Sequence, residues 1–264
     1  MRILLIGDIV GRPGRVALRE LLPRVREERR PDLVVCNVEN AAAGFGLTES
    51  IGREIVGAGV DVMTGGNHIW DKKGSDEYLT GEALLACPAN AAPGAPGRRH
   101  VIVEAGEIRV GVISLLGQVF MNPVDSPFRA LDRKLEELED EADLFLVDFH
   151  AEATSEKQAL GEYADGRVSV LVGTHTHVPT ADTRILPRGT AYQSDLGMTG
   201  PYRSIIGMDV DAVLRKFLTG MPSRFEVARD EARLCGLCVD LDEWSGQATA
   251  VERLDVPLDP EGWS

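Results

Sequence analysis

The stretch RILLIGDIVGRPGRVALRELL, residues 2–22, joins an apolar run to a glycine-rich loop and then to a helix-like pattern. A strand, a loop and a helix in this order are typical of proteins in which strands and helices alternate. The loop leaves two roles open. Either its backbone amides cradle a phosphate group, or its main task is to carry the carboxylate of Asp8.

Apolar, β-branched runs recur further along the chain, and helical patterns lie between them. The runs are residues 32–38, 60–65, 108–116, 143–149 and 168–173. Because these runs are continuously apolar and do not alternate, they predict strands buried on both faces, as in a mostly parallel sheet. The clearest helix is predicted over residues 128–142, where the leucines form one apolar stripe. This alternation predicts an α/β fold.

The pattern changes after residue 180, where short strands follow one another with one helix among them. These strands predict a second, largely antiparallel sheet packed on the first. The proline- and glycine-rich residues 87–99 are expected to form a long surface loop, because the alternation resumes beyond them. We therefore expect residues 1–264 to form a single domain.

The charge balance excludes one class of partner. Lys and Arg number 28 and Asp and Glu 42, which gives a net charge of −14. Such a field repels long polyanions, so we expect no long nucleic acid partner. Small anionic substrates are not excluded, because bound cations can reverse the local charge. No run approaches the ~20 apolar residues of a membrane span and none reads as a signal peptide, so we predict a cytoplasmic protein with no membrane partner.

The four cysteines, Cys36, Cys87, Cys235 and Cys238, are too few and too scattered to indicate a disulfide framework. The CGLC motif at residues 235–238 lies in a predicted strand. Residues three apart in a strand point to opposite faces, so this pair cannot chelate one ion. We expect reduced, packed thiols.

Metal-capable side chains follow five of the predicted strands. They are Asp8, Glu39, Asn67 with His68, His150, and His175 with His177. Four of the five histidines of the chain are in this set. Because ligands bind beyond the carboxyl ends of parallel strands, we expect these side chains to converge on a metal site.

The ligand types narrow the choice of metal and reaction. Carboxylate, imidazole and carboxamide donors suit Mn²⁺, Fe or Zn²⁺ better than Ca²⁺. About six or seven donors are too many for one tetrahedral ion but suit two ions that share a bridging carboxylate. Such pairs stabilise both the attacking and the leaving oxygen at phosphorus, which predicts hydrolysis of a phosphate ester.

Five segments together resemble the motifs of the calcineurin-like metallophosphoesterases. They are GDIV (7–10), VENAAAG (38–44), GGNHIWD (65–71), DFHAE (148–152) and GTHTHVPTAD (173–182). Two positions depart from the superfamily pattern: Val10 replaces the histidine of the first motif, and Glu39-Asn40 stands where Gly-Asp is usual. With residues 192–207 (YQSDLGMTGPYRSIIG), these variations resemble the narrower YmdB-like branch over nearly the whole chain.

The resemblance implies a four-layer α/β/β/α sandwich of two mixed sheets. It also implies a bacterial phosphodiesterase that acts on small nucleotides, particularly 2′,3′-cyclic nucleoside monophosphates opened at the 2′ bond. Two divalent ions, Fe or Mn and alternatively Zn, would be its cofactors. One ion would be held by Asp8, Glu39, Asn40 and His177, and the other by Glu39, Asn67, His150 and His175.

The mechanism expected from this resemblance has a hydroxide between the two ions attack phosphorus, while His68 protonates the departing ribose oxygen. Asp71 either orients His68 or caps a helix. Residues 194–204 form either a loop over the substrate or a tight connection between strands. Thr199 and Arg203 are the candidate substrate contacts in this segment, and the alternative for Arg203 is a solvated side chain.

Other protein classes share some of these sequence features. A dinucleotide-binding domain requires G-x-G-x-x-G, but Ile9 occupies a required glycine in either alignment. An amidohydrolase-type barrel has its His-x-His motif on the first strand and eight parallel strands, unlike this chain. A broad-specificity phosphomonoesterase and a non-catalytic metal or nucleotide sensor would use the same site. The sequence leaves open the metal, the physiological substrate and whether the chain forms a homo-oligomer.

Overall fold

The computed structural model describes residues 1–82 and 84–259 as two β-sheets flanked by helices. The strands are β1 (Arg2–Ile6), β2 (Asp8–Ile9), β3 (Leu33–Asn37), β4 (Val62–Thr64), β5 (Leu85–Ala86), β6 (Val101–Ala105), β7 (Ile108–Leu116), β8 (Leu144–His150), β9 (Val170–Thr174), β10 (Arg184–Ile185), β11 (Ala191–Gln193), β12 (Met198–Pro201), β13 (Ala232–Leu241) and β14 (Ala248–Pro257). The helices are α1 (Gly11–Arg29), α2 (Glu49–Gly57), α3 (Asp76–Gly81), α4 (Pro127–Glu137), α5 (Thr154–Ala164) and α6 (Val210–Thr219).

Both sheets are mixed. The first has the order β2-β12-β13-β1-β3-β4-β5, with β14 paired to β13. In it β1, β3, β4 and β5 run parallel, whereas β13 is antiparallel to β1. The second has the order β10-β11-β9-β8-β7-β6, and its four central strands run parallel.

The expected division into one parallel sheet and a later antiparallel sheet is wrong. The six apolar runs divide equally: β1, β3 and β4 enter the first sheet, and β7, β8 and β9 the second. Residues 87–100 carry the chain from β5 in the first sheet to β6 in the second. The short C-terminal strands are also shared between the sheets. Continuous apolarity reports burial on both faces, and it is the same whether a strand is covered by two helical layers or by one helical layer and another sheet.

Three apolar clusters separate four layers. One lies between the first sheet and α1, with Leu18 and Leu22 against Leu4 and Val34. The second lies between the two sheets and contains the alternate residues of β1, Ile3 and Leu5. In the third, Leu131 of α4 and Leu160 of α5 pack against the second sheet. The predicted α/β/β/α sandwich is thus confirmed.

Two helix details differ from expectation. The helix predicted over residues 128–142 ends at Glu137, and residues 138–141 form a turn. Thr48 occupies the N-cap position of α2, but its side chain makes no capping hydrogen bond. No helix among the residues described is both long and apolar enough to cross a membrane.

The glycine-rich loop after β1 uses its backbone within the protein. The Gly11 amide donates to the carbonyl of Asn40 at 2.9 Å, and the Val10 amide donates to the carbonyl of Thr199 at 2.9 Å. A Cβ on Gly7 would lie 2.0 Å from the Gly197 carbonyl oxygen, so glycine is needed there for close contact between backbones. The loop therefore positions Asp8 and does not form a phosphate cradle.

The CGLC cysteines face opposite sides of β13, as predicted. Leu237 belongs to the cluster between the sheets and Leu234 to the cluster under α1. Since side chains alternate along a strand, Cys235 shares the face of Leu237 and Cys238 that of Leu234. Within the described part of the chain all four thiols are free and buried.

We expect the native thiols to resist alkylation. Burial raises the pKa of Cys235 to about 12 and that of Cys87 to about 11, which leaves almost no thiolate near neutral pH. Iodoacetamide at pH 8 should leave the native protein unmodified in an intact-mass measurement, while the protein unfolded in guanidinium should take up four adducts. Rapid modification of Cys235 or Cys238 in the native protein would instead indicate a reactive CxxC pair.

Candidate metal centre

The candidate ligands lie together at the carboxyl ends of strands from both sheets. Asp8 lies in β2, Glu39 follows β3, and Asn67 follows β4, all in the first sheet. His150 ends β8, and His175 and His177 follow β9, in the second sheet. The sequence predicted convergence at the edge of one sheet, but both sheets contribute candidate ligands.

One group of donors surrounds the Nε2 atom of His150. Glu39 Oε1 lies 3.1 Å from it, and Asn67 Oδ1 and His175 Nδ1 each lie 3.0 Å from it. Ligand atoms of Glu39, His150 and His175 all lie within 4.8 Å of one another. This spacing is compatible with a shared cation.

A second group adjoins the first through Glu39. The Nε2 atom of His177 lies 3.9 Å from Asp8 Oδ1 and 3.1 Å from Asn40 Nδ2. Asn40 Nδ2 also donates to Glu39 Oε1 at 3.1 Å. Since the amide nitrogen of Asn40 faces both neighbours, its side chain has to turn over to offer an oxygen to a metal.

The electrostatics of the two groups favour a bound cation. Asp8 and Glu39 are fully buried, and Asp8 Oδ1 has no hydrogen-bond partner in the described chain. Burial raises the pKa of Asp8 to about 6. Burial acts in the same sense on Glu39, but the charge of His150 and its hydrogen bond hold the pKa of Glu39 below its usual value. An unpartnered buried oxygen beside carboxylate and imidazole donors fits a site for divalent metal ions.

Gly66 keeps this space clear. A Cβ at residue 66 would lie 2.3 Å from Glu39 Oε2 and 2.5 Å from His150 Nε2. No side chain can replace its hydrogen without displacing two of the candidate ligands. The glycine before Asn67 is therefore required by the site and not by a turn.

His68 lies beside the donors but not among them. Its backbone amide donates to Glu39 Oε2 at 2.8 Å, and its Nδ1 lies 2.7 Å from Asp71 Oδ2. The nearest helix, α3, begins at Asp76, so Asp71 orients His68 and does not cap that helix. Across residues 1–82 and 84–259 the Nε2 of His68 makes no hydrogen bond, and the side chain remains 33% exposed.

A buried polar network that the sequence analysis missed supports His150. Asp148 accepts hydrogen bonds from Asn37 Nδ2 at 2.9 Å, Thr64 Oγ1 at 2.5 Å and Thr174 Oγ1 at 2.7 Å. Thr174 Oγ1 lies 2.8 Å from His150 Nδ1, and because it donates to Asp148 it accepts from that nitrogen. Because Nδ1 carries a proton in this arrangement, Nε2 is the nitrogen of His150 that can offer a lone pair to a metal ion. The available signal was an aspartate inside the apolar run DLFLVDFH.

The turn that carries the last two histidines is strained and held by a buried ion pair. His175 and His177 have φ values of 98° and 65°, in the left-handed region that side chains rarely adopt. Between them, Thr176 donates to Asp195 Oδ2 through its amide at 3.1 Å and its hydroxyl at 2.7 Å. The same oxygen accepts from Lys157 Nζ at 2.7 Å, and this pair is almost fully buried. Sequence reasoning found neither member, since a buried lysine has no local signal.

Each of the two imidazoles of this turn has one neighbour at its outer nitrogen. His177 Nδ1 lies 2.9 Å from the carbonyl oxygen of Ile206 and therefore donates to it. His175 Nε2 lies 3.1 Å from Glu152 Oε2. The opposite nitrogen of each ring, Nε2 of His177 and Nδ1 of His175, faces the candidate ligands.

The middle of residues 194–204 is a strand and not a loop. Met198–Pro201 form β12, which pairs with β2 and β13. Thr199 is fully buried and its hydroxyl contacts the backbone of Cys235 at 3.3 Å. Arg203 is exposed. Within the part of the chain that is described, neither side chain bonds to the candidate ligands, so the substrate-loop alternative for them is not supported by this geometry.

Comparison with known proteins gives consistent matches over the chain. The family model of YmdB-like proteins matches residues 4–254. The 2′,3′-cyclic-nucleotide 2′-phosphodiesterase of Bacillus subtilis (strain 168) is 46% identical over 254 residues, 96% of each chain. A solved hypothetical protein of Thermus thermophilus is 46% identical with a TM-score of 0.92, covering 97% of this chain and 99% of that one. The crystal structure of a novel phosphatase of Mycoplasma pneumoniae is 34% identical with a TM-score of 0.93, and the match covers 99% of this chain and 95% of that one.

Proposed function

The chain belongs to the YmdB-like protein family, and on that premise we propose that it hydrolyses 2′,3′-cyclic nucleoside monophosphates at the 2′ bond. The relative from Bacillus subtilis with this activity in its name supports the substrate class. The observation that carries the proposal is the convergence of two buried carboxylates and three histidines beside His68, whose Nε2 has no hydrogen bond within the described residues. We also propose that residues 1–264 form one domain, because apolar side chains of both sheets share one cluster.

Two divalent ions, Fe or Mn and alternatively Zn, are proposed as cofactors. Glu39, Asn67, His150 and His175 would hold one, and Asp8, Glu39, Asn40 and His177 the other. When bound, such ions make water acidic enough to act as a nucleophile near neutral pH and neutralise charge on phosphoryl oxygens.

The residues of the chain then have separate tasks in the reaction. Water adds to phosphorus, the bond from phosphorus to the 2′ oxygen breaks, and this oxygen takes up a proton to leave a 3′-nucleotide. His68 supplies that proton from Nε2, because Nδ1 is engaged with Asp71 Oδ2 at 2.7 Å. Asp71 orients the ring, and Asp148 acts on His150 through Thr174.

The proposal is tested by measuring metal content and hydrolysis together. The purified protein is incubated with 2′,3′-cyclic AMP, 3′,5′-cyclic AMP and an aryl phosphate diester, and products are separated by chromatography. We expect about two metal ions per chain and 3′-AMP as the product of 2′,3′-cyclic AMP. Metal content near zero, or two metals without hydrolysis of any ester, would contradict an enzyme and favour a metal-holding sensor.

A second candidate function is phosphomonoester hydrolysis at the same site. It is favoured by the solved Mycoplasma pneumoniae relative, which is described as a phosphatase. Release of inorganic phosphate from 3′-AMP at a rate comparable with opening of the cyclic substrate would favour this alternative.

Replacing His68 by alanine should separate substrates by their leaving groups. Hydrolysis of 2′,3′-cyclic AMP should fall by about 10²–10⁴-fold, because a ribose alkoxide needs a proton to leave. An aryl diester should lose much less, since nitrophenolate leaves without one. Equal losses on both substrates would show that His68 has a different role, and full activity on the cyclic substrate would show that it is dispensable.

A further inference from the structure

Phe45 is an aromatic side chain at the site that the fold does not explain. Its ring centroid lies 5.0 Å from that of His68, at an interplanar angle of 66°. Phe45 is half-buried, and it belongs to none of the three apolar clusters of the described chain. A large apolar side chain that packs on no core cluster but on the candidate general acid is suited to contact a ligand.

The backbone around Phe45 is built to bring its ring there. Ala43, Gly44 and Gly46 have φ values of 57°, 96° and 73°, so left-handed residues stand on both sides of Phe45. The Gly44 amide donates to the carbonyl of Asn40 at 3.2 Å, which ties this turn to a candidate ligand. A Cβ on Gly46 would lie 2.7 Å from Lys72 Cγ and 3.4 Å from the His68 carbonyl oxygen. The turn therefore packs directly against the segment that carries His68.

The chemistry of the proposed substrate says what would lie near this ring. In a 2′,3′-cyclic nucleotide the oxygen that leaves phosphorus is attached to C2′, and the nucleobase is attached to the adjacent carbon, C1′. A proton donor at the 2′ oxygen therefore has the base only a few bonds away. Because His68 is the proposed donor and Phe45 is its aromatic neighbour, the base falls within reach of Phe45.

We propose that Phe45 is the residue that holds the nucleobase by stacking, and that it sets the preference for nucleosidic over plain cyclic phosphates. This inference rests on the proposed function and on His68 as the proton donor. Stacking on an aromatic ring needs no particular hydrogen-bonding edge, so every base should be accepted, with purines preferred because of their larger ring area.

A pair of substrates that differ only in the base tests this directly. They are 2′,3′-cyclic AMP and 1-O-methylribose 2′,3′-cyclic phosphate, which keeps the sugar and the ester but lacks the base. We expect the unchanged protein to have a KM about tenfold or more lower for the nucleotide. Phe45→Ala and Phe45→Leu should raise the KM for the nucleotide by that factor and leave the KM for the abasic ester and both kcat values nearly unchanged. Phe45→Trp should retain the preference.

Trp244→Ala provides the control for loss of an exposed aromatic side chain. Trp244 is almost fully exposed and follows β13. The amide of Leu241, at the end of β13, donates to the carbonyl of Met1, at the amino end of β1 and away from the site. This variant should behave as the unchanged protein. Equal KM values for the two esters before any substitution would overturn the proposal. A loss of kcat on both esters in Phe45→Leu would also overturn it, since Phe45 would then serve only to position His68.

A binding measurement keeps the inference testable if no ester is hydrolysed and the proposed function fails. Calorimetry compares 3′-AMP with 1-O-methylribose 3-phosphate on the metal-loaded protein. Tighter binding of 3′-AMP that disappears in Phe45→Leu supports the base contact without any turnover. Equal binding of the two ligands, or a difference that survives the substitution, contradicts it.

Discussion

Glu39→Gln is expected to remove metal and activity together. Glu39 Oε1 lies 3.1 Å from His150 Nε2 and accepts from Asn40 at 3.1 Å, so it belongs to both donor groups. The amide has nearly the same shape but no charge, and the proposed shared ligand of two cations is lost. The metal content should fall from about two ions to one or none, and kcat/KM for 2′,3′-cyclic AMP should fall by about a thousandfold or more.

Glu152→Gln is the matched control for this substitution. Glu152 Oε2 lies 3.1 Å from His175 Nε2, but its side chain is about half exposed and it faces the outer nitrogen of the ring. Loss of such an outer partner costs about 10–100-fold in metal affinity or activity. Metal analysis and kinetics on both variants, with circular dichroism to check folding, make the comparison. A Glu39→Gln protein that keeps two metals and one tenth of its activity would refute the bridging role.

The layers of the fold could be predicted from the sequence, but the assignment of strands to sheets could not. The apolar pattern of a strand reports which of its faces are buried. In β1, for example, Ile3 and Leu5 lie on one buried face and Leu4 and Ile6 on the other. Which strands pair depends on where the chain crosses over. Residues 87–100 make the crossing from the first sheet to the second. Their proline- and glycine-rich composition predicts a loop but not the sheet to which the loop leads. The resemblance to a known family implied that both sheets are mixed, but it did not assign the strands to them.

The candidate ligands could be predicted because they interrupt apolar runs, whereas the residues that support them could not. Asp8, Glu39 and the three histidines are polar residues at strand ends, where parallel α/β folds bind ligands. Lys157 lies in the helix α5, where a lysine usually indicates solvent, and only tertiary contact with Asp195 shows that it is buried. The sequence likewise placed Thr199 among the residues near the substrate, although a β-strand buries it.

Breaking the buried pair of Lys157 and Asp195 should destabilise the protein strongly. In Asp195→Asn the buried ammonium group of Lys157 has no counter-charge. In Lys157→Met the buried carboxylate of Asp195 has none. Each change should lower the free energy of unfolding by about 3–5 kcal/mol. In the double variant the free energy of unfolding should fall by less than the sum of the two single losses, because neither charge then remains unpaired. Urea unfolding of the two single variants and the double variant measures this coupling.

Arg109 and Asp143 provide a control pair at the same separation. Their closest atoms are 2.7 Å apart, as in the buried pair, but both side chains are about 40% exposed. Arg109→Met and Asp143→Asn should each cost about 1 kcal/mol or less. Similar losses for the exposed and the buried pair would show that burial does not determine the effect.

Thr176→Val should reveal what the buried pair does for the site. The substitution keeps the charges of Lys157 and Asp195 and removes only the hydroxyl bond of 2.7 Å to Asp195 Oδ2. His175 and His177 hold positive φ angles on either side, and such angles persist only where several contacts enforce them. With one contact removed, metal affinity measured by competition with a chelator should fall by about 10–100-fold, while Thr176→Ser should restore it. An unchanged affinity in Thr176→Val would mean that the remaining backbone bond is sufficient to hold both histidines in place.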